Sequence, residues 1–187
     1  MRKCKYDYIV GIDPDVDESG VAFLAVASRT FQLKTMKLPE LLHAIPAYVD
    51  EFSTEEKPLS PDEPKKVAVV VELDRLHTHN WHLVPQDTRN SAASKGFDQG
   101  RCFQVAVTIS EYFQNMGIEV IEKAPLLKIW GPKHDRKISH QEALALQGIH
   151  IITRRGQTNP EQRDAMLLAL DISEIPIILD PNFYKNR

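Results

Sequence analysis

Val67-Ala68-Val69-Val70-Val71-Glu72 is the strongest strand signal in the chain, and its reading decides the fold. Five apolar, mostly β-branched residues without polar alternation demand burial on both faces, which makes this a central strand of a covered sheet. The run ends in a carboxylate. Tyr6-Asp7-Tyr8-Ile9-Val10-Gly11-Ile12-Asp13 repeats the design, with an apolar stretch closing on an acid. If the two runs are sheet neighbours, Asp13 and Glu72 come within about 5 Å, the spacing of adjacent strands. Like charges that close, at the edge of apolar strands, need a cation to compensate them.

Working outward, the acids Asp15, Asp17 and Glu18 and then Gly20 follow the first run. Val21–Ala27 and Thr30–Leu38 read as two further strands, so the chain opens with a meander. Pro39 starts a helix, with Leu41, Leu42, Ile45, Tyr48 and Val49 at helical spacing and Pro46 as an awkward interior residue. Residues 50–66, with three prolines among many charges, read as a solvated loop inside the domain. After a polar stretch over 73–89, a helix builds from about Asn90. Its core stripe is Cys102, Val105, Ala106, Ile109, Phe113 and Met116, and Gly117 stops it. Ile118–Ile121 is a short strand. Ser139-His140-Gln141-Glu142 fits a capping box opening a helix that ends at Gly148. Asn159-Pro160-Glu161-Gln162 fits a second helix start, with Asn as cap and Pro at the first helical position. Residues 172–187 carry no readable element and stand as a C-terminal extension. This order predicts an α/β fold with a mixed central sheet covered by helices on both faces.

With 187 residues, 42% hydrophobic and 26% charged, the chain reads as a single domain over 1–187 that buries its own core. Cys4 and Cys102 match no disulfide framework or metal-ligand spacing. No apolar run approaches the roughly 20 residues of a membrane span, and Met1–Lys5 leads into a poor signal peptide, so the expected location is cytoplasmic. The charge balance of 23 cations against 26 anions, net −3, argues against a binder that coats nucleic acid with its whole surface.

Glu161 and Asp164 lie three apart and share one side of the last helix, where they can face the strand-end acids. The helix macrodipole by itself also favours acids there. A site of hard oxygen ligands without cysteine suits Mg²⁺ or Mn²⁺ better than zinc. Over 122–137, Lys123, Lys128, Lys133, Arg136 and Lys137 oppose only Glu122 and Asp135, and Arg154 and Arg155 follow. They are candidates for tracking phosphates, or a solvated face of scattered lysines. His77, His79 and His82 make a weak zinc pattern without a fourth ligand. Trp81 among them is a candidate for stacking on an unpaired base, or for packing under its loop. Asp15, Asp17, Glu18 and Asp74 read as solvated turn acids.

Val10-Gly11-Ile12-Asp13-Pro14, Gly20, Val69-Val70-Val71-Glu72 and Glu161-Gln162-Arg163-Asp164-Ala165, in that order, resemble the RuvC-type Holliday-junction resolvases of the RNase H-like superfamily. The resemblance covers about residues 6–171. It implies an RNase H-like fold and an acidic tetrad at Asp13, Glu72, Glu161 and Asp164 holding two Mg²⁺ or Mn²⁺ ions. Such a pair can clamp a phosphodiester, activate water and stabilise the leaving 3′-oxygen. The resemblance matches Gln99-Gly100-Arg101 to a helix motif and supplies counterparts for the basic residues Lys128 and Lys137, the latter as a partner for transition-state charge. The implied protein is an endonuclease of branched DNA acting as a homodimer. Two other readings stay open: a related nuclease of RNA, hybrid or flap substrates, and a nucleic-acid-binding module without catalysis.

Overall fold

In the computed structural model, which describes residues 4–54, 66–73, 75, 84–153, 156–180 and 182–184, the two acid-ended runs are parallel neighbours. β1 (Tyr8–Asp13), β2 (Ser19–Ala25) and β3 (Thr30–Met36) form the antiparallel meander, with Asp13 in register with Gly20. α1 (Leu38–Thr54) leads to β4 (Val67–Glu72), α2 (Arg89–Asn115) and β5 (Val120–Lys123). α3 (His140–Leu144), β6 (His150–Thr153) and α4 (Pro160–Ser173) complete the order. The sheet runs β5-β4-β1-β2-β3-β6, with β4 parallel to β1, β5 to β4 and β6 to β3. The six strands make one mixed sheet, in which β6 extends the β3 edge.

Strand parity divides the core. Ile9, Ala22, Leu24, Ala68 and Val70 face one side with Met166, Leu168 and Leu170 of α4. Val10, Ile12, Phe23, Val69 and Val71 face the other with Leu41 and Ile45 of α1 and Ile109 and Phe113 of α2. Each large apolar side chain buried this way contributes roughly 1.5–3 kcal/mol.

α4 lies against the sheet almost backbone to backbone. A Cβ on Gly11 would meet the Ala165 carbonyl oxygen at 2.0 Å, and one on Gly20 would meet the Glu161 carbonyl carbon and oxygen at 2.2 Å. Glycine is needed here for close approach rather than for an unusual φ. Gly20→Ala is therefore expected to lift the first turn of α4 off β2 and to cost about 1–3 kcal/mol. Urea unfolding reads this as a lower midpoint; an unchanged midpoint would mean that the helix slides at no cost.

Several elements differ from the sequence reading. α1 continues through residues 50–54, because nothing there breaks a helix, and 55–65 lie outside the described residues. β3 ends at Met36 rather than Leu38, and β5 sits two residues later than expected. The capping box at Ser139 is present, but its helix is only 5 residues long and ends well before Gly148. β6 was absent from the expected order; four residues beside an edge strand give too short a pattern for periodicity to register. Cys102 does not join the core: it is half-buried beside Val16, since the first half of α2 overhangs the sheet. All buried residues of α2 fall between Ala106 and Phe113, and Phe97 is 67% exposed. The C-terminal segment is docked, with Ile175 buried and Leu179 bridged to Leu146. Among the described residues no helix is long and apolar enough to cross a membrane.

Candidate active site

The parity that divides the core also aims the acids. Asp13 follows Ile9 and Gly11 on the α4 face, and Glu72 follows Ala68 and Val70 on the same face. The β1–β4 register, Ile12 beside Val71, makes these carboxylates neighbours at the ends of adjacent strands. Asn159 caps α4 by accepting from the Gln162 N–H at 2.8 Å, with the Gln162 side chain reciprocating. The Asn159 and Gln162 amides both donate to the Thr35 hydroxyl at 3.0 Å, which fixes the helix start to β3. Gly20 admits the Glu161 backbone, so the first turn of α4 brings Glu161 and Asp164 to the strand ends.

Electrostatics show how closely these groups feel one another. Burial pushes the Asp13 carboxyl up to about 8; the charges of Glu72, Asp164 and Glu161 add to this and Lys137 opposes it. Burial and then Asp164 raise Glu72 to about 6, again against Lys137. The Lys137 ammonium lies 2.5 Å from an Asp164 carboxylate oxygen. Burial would lower its pKa, but Asp164, Asp13 and Glu72 outweigh that and hold it above the ordinary lysine value. Lys137 thus contacts Asp164 directly and is felt at longer range by Asp13 and Glu72. Glu161 also lines an open cleft of about 570 Å³ with Asp15, Asp17, Glu18 and Lys37.

The donor set, all carboxylate oxygen with an excess of negative charge, fits a hard divalent cation. As the side chains stand, no three acidic, His or Cys groups among the described residues are arranged to hold a metal ion. Asp164 is turned onto Lys137 instead.

Beneath the cluster lies Arg163, a buried guanidinium that the motif reading passed over. It donates to the Ile138 carbonyl at 2.7 Å and to the Thr158 carbonyl and hydroxyl at 2.5 and 3.0 Å. These bonds tie the segment bearing Lys137 to the cap of α4. Its position beside Asp164 in the last motif was the one available signal.

The expected basic face is partly spent in ion pairs. Lys123 pairs at 2.7 Å with Asp171, an acid across the fold that sequence distance conceals, and Arg136 pairs at 2.7 Å with Glu142 of the adjacent short helix. Lys128 and Lys133 are exposed, as are Leu127 and Ile129 beside them. Arg101 lies over the Phe97 ring on the overhanging half of α2, its carbon 5.6 Å from the ring centre. Asp15 and Asp17 form a turn in which the Asp17 N–H donates to the Asp15 carboxylate at 2.9 Å, as expected of turn acids. Asp74, the His77–His82 loop with Trp81, Arg154 and Arg155 lie outside the described residues.

No protein-family model matches the chain, and no curated protein matches it. Among solved structures it is similar to Thermus thermophilus RuvC, at 17% identity over 87% of this chain and 91% of that one, with a TM-score of 0.39. It is also similar to T. thermophilus RuvC in complex with a Holliday junction substrate, at 15% identity, 88% and 91% coverage and a TM-score of 0.39. The functional reading rests on the side chains of the cluster.

Proposed function

We propose that the chain is a metal-dependent endonuclease of structured DNA, with a four-way junction as the leading substrate. The observation that supports this reading is that Asp13, at a strand end, feels the charges of Glu72 on the neighbouring strand and of Glu161 and Asp164 on one helical turn, with Lys137 paired to Asp164. A cluster that costly to desolvate persists in a fold when a function requires it. Asp13, Glu72, Glu161 and Asp164 would hold Mg²⁺ or Mn²⁺, which supplies a Lewis acid and a water of lowered pKa for phosphodiester hydrolysis. Lys137 would meet a phosphate oxygen and the charge that develops on it. Lys128 and Lys133, exposed on the segment leading to Lys137, are placed to hold the flanking backbone. Arg101 extends that contact from α2. Resolution of a junction takes two symmetric cuts and hence two copies of the chain.

The test is cleavage of a labelled mobile four-way junction against linear duplex in Mg²⁺, Mn²⁺ and EDTA. Paired, metal-dependent nicks confined to the junction support the reading. Cutting of duplex, RNA or flap substrates moves the substrate and keeps the chemistry. The second reading, a binding module without catalysis, is favoured by the pairing of Asp164 with Lys137 and the lack of a ligating trio among the described residues. Tight binding without cleavage in either metal would establish it.

Replacing Lys128 and Lys133 together by Ala should reduce the slope of log affinity against log salt by up to about 2, since each phosphate contact releases roughly one counterion. Titration by fluorescence anisotropy at several salt concentrations measures this. An unchanged slope removes both lysines from the interface.

A further inference from the structure

The segment that carries Lys137 is built around a carboxylate outside the cluster. Glu142, in the short α3, is fully buried. Its Oε1 accepts from the Gly131 N–H at 2.9 Å and from the Tyr184 hydroxyl. Its Oε2 accepts from the Ser139 N–H at 2.8 Å, the Ser139 hydroxyl at 2.6 Å and the Arg136 guanidinium at 2.7 Å. A capping box explains the two Ser139 contacts. It does not explain the other three, which draw in a turn, an arginine and the C-terminal segment.

Those three contacts converge on one residue. Trp130 and Arg136 close the turn with reciprocal backbone bonds of 3.0 and 3.2 Å. The Arg136 nitrogen that meets Glu142 also donates to the Lys137 carbonyl at 3.1 Å. The next carbonyl, Ile138, accepts from Arg163. Lys137 therefore leaves a backbone held on both sides, and its ammonium reaches Asp164 at 2.5 Å. A lysine side chain has ample rotamer freedom, so the anchoring of its backbone decides where its charge can rest.

We propose that Glu142 and Tyr184 are positioning residues for Lys137: the buried carboxylate gathers turn, arginine and C-terminal segment so that the lysine points into the acidic cluster. This rests on the nuclease reading for its consequence, and makes the C-terminal segment part of the active-site scaffold.

Two variants test it. Glu142→Gln removes the charge at the hub, and Tyr184→Phe removes one hydroxyl while leaving the capping box whole. The first readout is acetylation of the metal-free protein by a water-soluble acylating reagent, followed by peptide mass spectrometry with Lys128 as internal reference. Labelling of Lys137 relative to Lys128 should rise severalfold in both variants. The second is junction cleavage: kcat should fall roughly tenfold to a hundredfold, as for a displacement of about 1 Å, with KM little changed. In a Lys137→Ala background neither variant should lower kcat further, because their effect runs through that lysine. A labelling ratio at the wild-type value, or losses that multiply in the Lys137→Ala background, overturns the proposal. If the wild type cleaves nothing, the nuclease reading falls by itself, and the labelling ratio still decides whether Glu142 and Tyr184 hold Lys137.

Discussion

Asp13→Asn is expected to abolish metal-dependent cleavage while leaving junction binding intact. Asp13 is largely buried and feels Glu72, Asp164, Lys137 and Glu161 together. An amide of the same shape keeps the packing but removes the charge that a divalent ion would meet. Loss of Lewis-acid stabilisation worth several kcal/mol corresponds to a rate loss on the order of a thousandfold or more. On the proposed reading binding would rest on the exposed Lys128 and Lys133, so the affinity of Asp13→Asn for a junction in EDTA should match that of the wild type. Single-turnover cleavage and anisotropy on the same preparation separate the two effects. If cleavage and binding fail together, Asp13 has a folding role instead.

The same substitution should stabilise the metal-free protein, the opposite of what most changes at buried polar sites do. With the folded carboxyl raised from 3.8 to about 8, the unfolded chain gives up its proton more readily than the native state. A carboxyl raised in this way costs nothing below the unfolded value, and its cost grows with pH until it levels off above the folded value. At pH 7 the cost is about 4 kcal/mol as an upper bound, at about 1.36 kcal/mol per pH unit above 3.8. Asparagine removes this cost apart from burying its amide. Urea unfolding in EDTA should therefore show the wild type losing stability between pH 4 and 8, while Asp13→Asn loses much less. Glu72, raised to about 6, leaves a smaller slope of the same sign in both proteins. Equal slopes would mean that the cluster finds its compensation elsewhere in the metal-free state. Mg²⁺ should raise the wild-type midpoint by binding the native state alone.

The core of this molecule was readable because its strongest signals are unambiguous. Val67–Val71 and Ile9–Ile12 are apolar on both faces, and only a central strand accommodates that. Parity then carries Asp13 and Glu72 to one face with no further information. The start of α4 was equally plain, since Asn159 and Pro160 are cap and first-turn residues. Whatever depends on partners distant in sequence was hidden. Lys123 pairs with Asp171 and Glu142 accepts from Tyr184, partners that no local pattern announces. β6 draws its order from β3 rather than from its own four residues. The clash that a Cβ at Gly20 would cause is a property of the packed helix and leaves no trace in local sequence.

The direct seating of α4 on β1 and β2 also dates the site in the life of the chain. Asp13 belongs to the first strand and Asp164 to the last helix, 164 − 13 = 151 positions later. Contacts of such long sequence separation form late, and domains fold as their segments emerge from the ribosome. While the chain is being made, the sheet can gather two of its acids, but the other pair and their lysine are still to come. The mutual repulsion of the cluster is thus deferred until nearly every other contact of the core is in place to hold it. A growing chain has no such cluster, which is complete only once the helix that carries Glu161 and Asp164 has packed on the sheet.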